Sequence, residues 1–259
     1  MLKESRKDMI MDMILEHGTL DINSLAHTLG VTPITIRRDL SDLEDAGRIE
    51  RIHGGARIKQ SMLMTEPTFD IRIGQNQMAK QAIAMQALSL IEENMTVIID
   101  SGTTTYALAQ LIDNSKRITV ITNSIKIALE LLVRPNVRVI SVGGEVRKNT
   151  ISCADNLAER FLAMLSADIA FLGISALSVE GDLYNISIIE SGVKSAIKNI
   201  AKKVYVLADS SKIGATALAL FENLAHSGMT LITDSNISAK DLSQLKKSKV
   251  NVIVAPIKP

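Results

Sequence analysis

The sequence predicts two units of different fold class within 259 residues. Residues 76–259 read as an α/β unit with a parallel sheet covered on both faces, residues 1–57 as a small helical unit closed by a β-hairpin, and 58–75 as the linker between them. Three observations carry this division. The first sixty residues hold no Phe, Tyr or Trp and are dense in charge, whereas from about residue 95 short β-branched runs alternate with helical ones, the rhythm of an α/β unit. Most of those runs end in a polar or glycine-bearing loop. Near the N-terminus, three apolar-periodic stretches are punctuated by Gly18, Gly30 and Gly47, each suited to end a helix in a left-handed turn.

The first helix is expected over 3–16, with Ile10, Met13, Ile14 and His17 on one face. Asp21 caps a second, in which Ile22, Leu25, Ala26 and Leu29 repeat at helical spacing. The third runs over 32–46. Thr32 is its N-cap, and Pro33 suits the first helical position because its missing N–H would be unpaired there anyway. Ile36, Leu40 and Leu43 form its apolar stripe, which leaves Ile34, Thr35 and Arg38 on the free face. A short helix presenting an arginine, a threonine and a methyl-rich side chain fits a DNA major groove, and two helices joined across L-G-V-T make a helix-turn-helix. After Gly47, R-I-E-R-I-H-G-G-A-R-I reads as a two-stranded wing reversing at Gly54-Gly55. Arg48, Arg51 and Arg57 lie within reach of phosphates, and His53 is a further DNA-contacting candidate beside them.

Charge alone does not announce this partner. The formal net charge is +1, and over residues 1–60 Lys and Arg do not outnumber Asp and Glu. DNA binding therefore requires charges segregated by face, with Asp8, Asp12, Glu16 and Asp21 on the earlier helices and the later basic residues on the third helix and wing. The alternative is a three-helix docking module for another protein, its arginines paired on the surface with Asp39, Asp42 and Glu44. RNA and single-stranded DNA fit less well, since both are commonly held by stacking on aromatics.

At residues 24–56 the run S-L-A-H-T-L-G-V-T-P-I-T-I-R-R-D-L-S-D-L-E-D-A-G-R-I-E-R-I-H-G-G-A closely resembles the N-terminal signature of the DeoR family of bacterial transcriptional repressors. The likeness lies in T-I-R-R-D-L, in the spaced leucines and in the terminal H-G-G-A. It implies a winged reading head with Thr35, Arg37 and Arg38 turned toward DNA. E-P-T-F-D-I-R, in the linker, resembles the bridge between that family's two domains.

The second unit opens with a helix expected over 76–93, with Ile83, Ala87, Leu90 and Ile91 inward. Strands follow at 96–100, ending in S-G-T-T-T; 118–121, ending in T-N-S; 137–142, ending in G-G-E; 169–172, ending in G-I-S; 204–207, ending in A-D-S-S-K; 231–232, ending in T-D; and 250–254. Helices of about ten residues fill most intervals, so a parallel sheet with both faces covered is the economical fold. Ligands in such sheets bind outside the carboxyl ends of the strands, where these loops would gather.

The loop Asp100, Ser101, Gly102, Thr103, Thr104 is the most informative. A strand passing through serine and glycine into a helix presents N–H groups, hydroxyls and a positive helix end to one point, a setting for phosphate. Thr103 as a plain helix cap and Gly102 as a plain turn is the bland alternative. Lys212 brings a compact charge to the same edge, Gly143 and Gly144 permit close backbone approach, with Glu145 beside them, and Thr122, Asn123 and Ser124 suit sugar hydroxyls. There is no G-x-x-x-x-G-K and no G-x-G-x-x-G, so a small phosphorylated polyol fits better than a nucleotide. Residues 80–234 resemble the DeoR-family sensor domain, itself similar to ribose-phosphate isomerases, through D-S-G-T-T, T-N-S, G-G-E, F-L-G, Glu190 with Lys194, and A-D-S-S-K. That resemblance implies a sugar-phosphate effector held by Ser101, Gly102, Thr103, Thr104, Asn123 and Lys212. It breaks at Asp155-Asn156, where the family usually places a glycine-proline pair. An acid facing the pocket would repel a phosphate, so either Asp155 contacts the sugar end or the effector differs.

The lone Cys153 excludes an intrachain disulfide, suits a reducing compartment and reads as a packing thiol. Four scattered histidines give no metal-ligand spacing, and no cofactor is expected. The polar N-terminus carries no visible secretory signal, and 161–179, the nearest approach to a membrane span, reads as a buried helix leading into a buried strand around Asp168. The expected function is a cytoplasmic repressor of a sugar-utilisation operon. Its partners are a double-stranded operator and a phosphorylated sugar, with no membrane, and one reading head per chain predicts a homodimer or homotetramer. The rival is a sugar-phosphate isomerase with an appended DNA-binding segment, using Asp100, Glu145, Glu190 and Lys212 for proton transfer and charge stabilisation. No acid-base pair among them declares itself by spacing.

Overall fold

Helical apolar spacing builds the first core. In the computed structural model, Ile10, Met11 and Ile14 pack with Ile22, Leu25 and Ala26 of helix Ile22–Leu29 and with Ile36, Leu40 and Leu43 of helix Pro33–Asp45, and Ile49 and Ala56 close the cluster. The structure describes residues 6–7, 9–11, 13–14, 19–45, 49–52, 55–58 and 67–257, with 19, 50, 51, 57 and 58 by backbone alone. Arg48, His53 and Gly54 of the expected wing lie outside the described residues. The chain divides into two compact units, Met1–Glu66 and Pro67–Pro259.

Asp21 caps the second helix as expected, its Oδ1 accepting from the N–H groups of Asn23 and Ser24, each at 2.9 Å. The sheet beside it is larger than the sequence indicated. Strand β1 (Thr19–Asp21) pairs with β3 (Gly55–Ile58), which pairs with β2 (Ile49–Ile52), all antiparallel, so the wing is three-stranded. A Cβ on Gly55 would stand 2.2 Å from the Leu20 carbonyl oxygen. Glycine is required there by the close approach of β3 to β1.

In the second unit the strands, in chain order, are β4 (Thr96–Ile99), β5 (Ile118–Thr122), β6 (Val137–Ser141), the hairpin β7 (Val146–Arg147) and β8 (Ser152–Cys153), β9 (Ala167–Gly173), β10 (Ala176–Leu177), β11 (Asp182–Asn185), β12 (Ala201–Leu207), β13 (Ala219–Asn223), β14 (Thr230–Asp234) and β15 (Asn251–Ala255). Seven of them form one sheet in the order β15-β14-β12-β9-β4-β5-β6, every pair parallel. All seven expected strands are present, extended or trimmed by a few residues. Successive side chains point to opposite faces. Ile98, Ala170, Leu172 and Val206 pack on one side, against helices Asn156–Leu162 and Ile188–Ile200. On the other, Val97, Ile99, Ile169 and Phe171 meet helices Gln77–Leu88, Thr103–Leu111 and Ile125–Leu132. Burying each large apolar side chain contributes about 1.5–3 kcal/mol.

Two features depart from the sequence reading. The opening helix ends at Leu88 rather than continuing toward 93, and the stretch read as linker is helical over Phe69–Gly74. Phe69 explains the second, because it is buried, its N–H donates to the Asn149 carbonyl at 2.7 Å and its ring meets Tyr106 edge-on at 5.5 Å. A second antiparallel sheet, β10-β11-β13, was not anticipated. Residues 161–179 are the end of helix Asn156–Leu162 followed by β9, and no helix among the described residues is long and apolar enough to cross a membrane.

Candidate functional site

On the first unit, the Thr32 hydroxyl accepts from the Thr35 N–H at 3.3 Å and lies 3.0 Å from the Thr35 hydroxyl. It therefore caps helix Pro33–Asp45. With Ile36, Leu40 and Leu43 buried, Ile34 is 74% exposed, and Arg37 and Arg38 are exposed beside it. Two acids of this helix, Asp39 and Asp42, are engaged by the preceding segment. Asp39 is buried and takes two hydrogen bonds from Arg6, at 2.6 and 3.0 Å, while Lys7 stands 3.0 Å from Asp42. Cations of the preceding helical segment thus pair with Asp39 and Asp42, Glu44 and Asp45 at the end of the helix are exposed, and among the described residues neither Arg37 nor Arg38 is in an ion pair. A segment without net cationic excess still presents a basic face. Arg51 and Arg57 belong to β2 and β3.

On the second unit, the chain runs from β4 through β5 to β6 in one direction and then places β9 on the other side of β4. The order reverses between β4 and β9, and a crevice for ligand opens at the carboxyl end of such a reversal. Asp100, Ser101, Gly102, Thr103 and Thr104 follow β4, Thr122 and Asn123 end β5, Gly143, Gly144 and Glu145 follow β6, and Lys212 lies on the turn after β12. The structure thus brings all the candidate effector residues to one edge of the sheet.

Helix Thr103–Leu111 begins at Gly102, and no side chain caps it. Thr103 is not a cap. The first-turn N–H groups of an uncapped helix carry the positive end of its dipole, and Ser101, Thr103 and Thr104, all buried, belong to this loop and first turn. The Ser101 N–H is already engaged, donating to Asn123 Oδ1 at 3.0 Å, and Asn123 Nδ2 donates to the Cys153 carbonyl at 3.3 Å. Asn123 so ties together the loops after β4 and β5 and strand β8. The fully buried Thr122 accepts from the Ser124 N–H at 3.1 Å, and Ser124 caps helix Ile125–Leu132 through the Ile127 N–H. Gly143, Gly144 and Glu145 are exposed, and Lys212 is half-buried.

Beneath this edge lies a buried run of charge. Asp100 Oδ2 accepts from the Gly173 N–H at 3.1 Å and from the Lys194 ammonium, an ion pair between groups 4% and 1% exposed. Burial pushes the Asp100 carboxyl up, against the opposing pull of Lys194. One turn earlier on the same helix, Glu190 stands 3.3 Å from Arg147, which donates to the Ser187 hydroxyl at 2.5 Å. Lys194 was legible only as a piece of a family resemblance, Glu190 through that resemblance and as a candidate for proton transfer, and Arg147 carried no sequence signal. Of the groups weighed for proton transfer, Asp100 is held by Lys194 and Gly173, Glu190 by Arg147, and Glu145 is exposed; no two share a hydrogen bond among the described residues.

Asp155 resolves the break in the family pattern in a third way. Its Oδ1 accepts from the Ala158 N–H at 2.8 Å and its Oδ2 from the Glu145 N–H at 2.7 Å, so it caps helix Asn156–Leu162 and anchors the G-G-E loop. Gly144, at φ 136°, has no room for a Cβ, which would stand 2.6 Å from Asp155 Oδ1. The two N–H groups hold the carboxyl below its usual range. Asp155→Ala is therefore expected to lower the melting temperature at pH 7. A carboxyl more acidic folded than unfolded stabilises fully above the unfolded value of about 3.9 and loses that contribution as pH falls through the lowered one. Melting curves of the two proteins should converge on acidification; a gap that stays constant would contradict this role.

Two family models match the chain: the DeoR-like helix-turn-helix domain over residues 6–62 and the DeoR C terminal sensor domain over residues 75–235. The chain is 34% identical over 253 residues to the HTH-type transcriptional regulator GlpR of Haloferax volcanii, covering 98% of each chain. It is 31% identical over 250 residues to the putative aga operon transcriptional repressor of Escherichia coli O157:H7, covering 96% of this chain and 93% of that one. Among solved structures it is similar to a D-ribose-5-phosphate isomerase in complex with phospho-erythronic acid, with a TM-score of 0.40 and 19% identity over 53% of each chain. The translation initiation factor eIF-2B of Pyrococcus horikoshii OT3 gives a TM-score of 0.41 and 18% identity, covering 85% of this chain and 70% of that one.

Proposed function

Because this chain belongs to the DeoR family of transcriptional regulators, we propose that it represses a sugar-utilisation operon and that a phosphorylated sugar at the carboxyl edge of its sheet sets its affinity for operator DNA. The chain is a DNA-binding regulator. What supports the phosphorylated effector is one observation: the uncapped start of helix Thr103–Leu111 opens at the β4/β9 reversal, on the same sheet edge as Lys212. Helix N–H groups and hydroxyls would take the phosphate oxygens and Lys212 its charge, with Asn123 and Glu145 beside them for sugar hydroxyls. Ile34, Thr35 and Arg38 would read bases, while Arg37 and the wing arginines hold phosphates. One head per chain makes a homodimer or homotetramer the working form, with two half-sites read together in the cytoplasm.

An effector changes DNA affinity only by binding the DNA-competent and DNA-incompetent states unequally. The effector class is tested by thermal melting of the full chain against sugar phosphates and the same sugars without phosphate. A compound present at about a hundred times its Kd stabilises the native state by about 2.7 kcal/mol. A rise is expected with phosphorylated compounds alone; an equal rise with a free sugar would remove the phosphate from the proposal.

A further inference from the structure

The sheet has a second edge, at the amino ends of its strands, opposite the proposed effector site. On the face that holds Val97, Val120 and Ile169, apolar residues run to the start of the strands. On the other face the first row is polar. Register sets Thr96, Thr119 and Arg138 side by side across β4, β5 and β6. Asp168 of β9 continues the row, accepting from the Thr96 N–H at 2.9 Å and from the Lys202 ammonium of β12 at 2.8 Å. Apolar side chains, Ala170, Ile98, Ile121 and Ile140, begin only two residues later. Helix Asn156–Leu162, which packs in that core, is about 10 Å long, shorter than a five-residue strand at about 17 Å, so the first row stays partly open. The ladder also runs on by one row: the Asn94 N–H donates to the Arg117 carbonyl at 2.7 Å and the Ile118 N–H to the Asn136 carbonyl at 3.2 Å. The two rows line a cleft of about 450 Å³, with Asn94, Arg117, Thr119, Pro135, Asn136 and Arg138 in its walls.

The two halves of this edge differ in charge. Toward β12, Asp168 and Lys202 neutralise each other. Toward β6, Lys116 is taken by the Ile91 carbonyl and Arg134 by Glu130 at 3.6 Å. Arg117 and Arg138 are exposed, and among the described residues neither guanidinium is in an ion pair. Glu93, the carboxylate that reaches this segment, takes the backbone N–H of Arg117 at 3.0 Å. Offset by two residues on adjacent strands, the two arginine Cα atoms stand about 8 Å apart, near enough for both side chains to converge on one ligand. Like charges so placed oppose each other, a cost that the packing does not require. A charge on the edge strand β6 also discourages pairing with another sheet, which accounts for Arg138 but not for Arg117 or the cleft. The side chains of Asn94 and Thr119 likewise make no hydrogen bond among the described residues.

We propose that this cleft is a second ligand site, for a small polyanion carrying at least two carboxylate or phosphate groups, gripped by Arg117 and Arg138 with Asn94 and Thr119 at its neutral groups. A guanidinium fork matches either kind of oxyanion with two parallel hydrogen bonds, and an amide and a hydroxyl suit what lies between them. The cleft has the volume of a small-molecule site, about 300–1,000 Å³. An acidic protein segment would call for a basic surface extending beyond the cleft, and there Lys116 and Arg134 are already engaged. The site lies at the opposite ends of the strands from Lys212 and does not rest on the phosphorylated-effector reading. It gives the α/β unit a second chemical input.

The test uses the full chain with citrate and pyrophosphate at constant ionic strength, and acetate as the singly charged control. Calorimetry should show one or both probes binding, and which of them binds tells carboxylate from phosphate. Arg117→Gln and Arg138→Gln should each weaken that binding about tenfold or more, the loss of one charge-assisted contact. Exposed substitutions of this kind hardly change stability, so the loss reads binding. Lys212→Gln, at the other edge, should leave it unchanged. A check without variants is hydrogen exchange in the parent, which the bound probe should slow at residues 94–96, 117–119 and 136–138. Equal affinity in both arginine variants, exchange unchanged at those residues, an equal response to acetate, or no binding of either probe overturns the proposal. So does binding of a hexaglutamate peptide without citrate or pyrophosphate, which would make the cleft a protein-docking surface, and so does a loss confined to Lys212→Gln, which would return the anion to the effector edge.

Discussion

Lys194→Met is expected to destabilise the α/β unit by about 3–5 kcal/mol, the cost of leaving one member of a buried ion pair without its partner. Asp100 is 1% exposed, its Oδ1 already has no hydrogen-bond partner among the described residues, and loss of Lys194 leaves Oδ2 with the Gly173 N–H alone. Methionine fills most of the space of the lysine stem, so the loss measures charge rather than a cavity. Urea unfolding followed by far-ultraviolet circular dichroism checks it. Adding Asp100→Asn in the same chain removes the stranded charge and should restore most of the stability. A double variant as unstable as Lys194→Met alone would mean that the lysine acts through packing.

Arg38→Ala should weaken operator binding by about 1–3 kcal/mol, or about 5- to 150-fold, if its guanidinium reads a base edge. The side chain is exposed on the face opposite Ile36 and Leu40, so stability should hardly change. Fluorescence anisotropy on operator and scrambled duplexes separates two roles. A base reader loses discrimination between the duplexes, whereas a phosphate contact loses affinity for both alike and flattens the salt dependence. Arg37→Ala is the natural comparison for the second pattern.

Much of this was legible because it is written locally. The reading helix announced itself through Thr32, Pro33 and the Ile36, Leu40, Leu43 stripe, and the seven parallel strands through β-branched runs that stop at polar loops. What escaped depends on pairing across the chain. Strand β1 is three residues, T-L-D, and exists because Gly55 lets β3 approach it. Helix Phe69–Gly74 has too few residues to show periodicity and is held by Asn149, Tyr106 and Lys80. At the edge of the sheet the loops were readable and their wiring was not. Asp100 and Lys194 are 94 residues apart, and nothing in either neighbourhood names the other. Asp155 is the instructive case: read against a family pattern it looked like a charge in a phosphate site, whereas the N-cap preference of aspartate was enough to explain it. The arginines show the same thing from the charge side, since net charge hid a basic face that Arg6 and Lys7 create by covering Asp39 and Asp42.

The coupling of the two units is open to one direct measurement: the affinity of the full chain for DNA from its own upstream region, titrated with whichever sugar phosphate raises its melting temperature. Binding free energies are reciprocal, so a ligand that couples to DNA must change operator affinity by the same factor by which DNA changes its own. Expected is a saturable shift of about 5- to 150-fold in operator affinity, with the matching shift in sugar-phosphate affinity when DNA is present. A sugar phosphate that binds tightly yet leaves operator affinity unchanged would contradict the sensor role of the α/β unit.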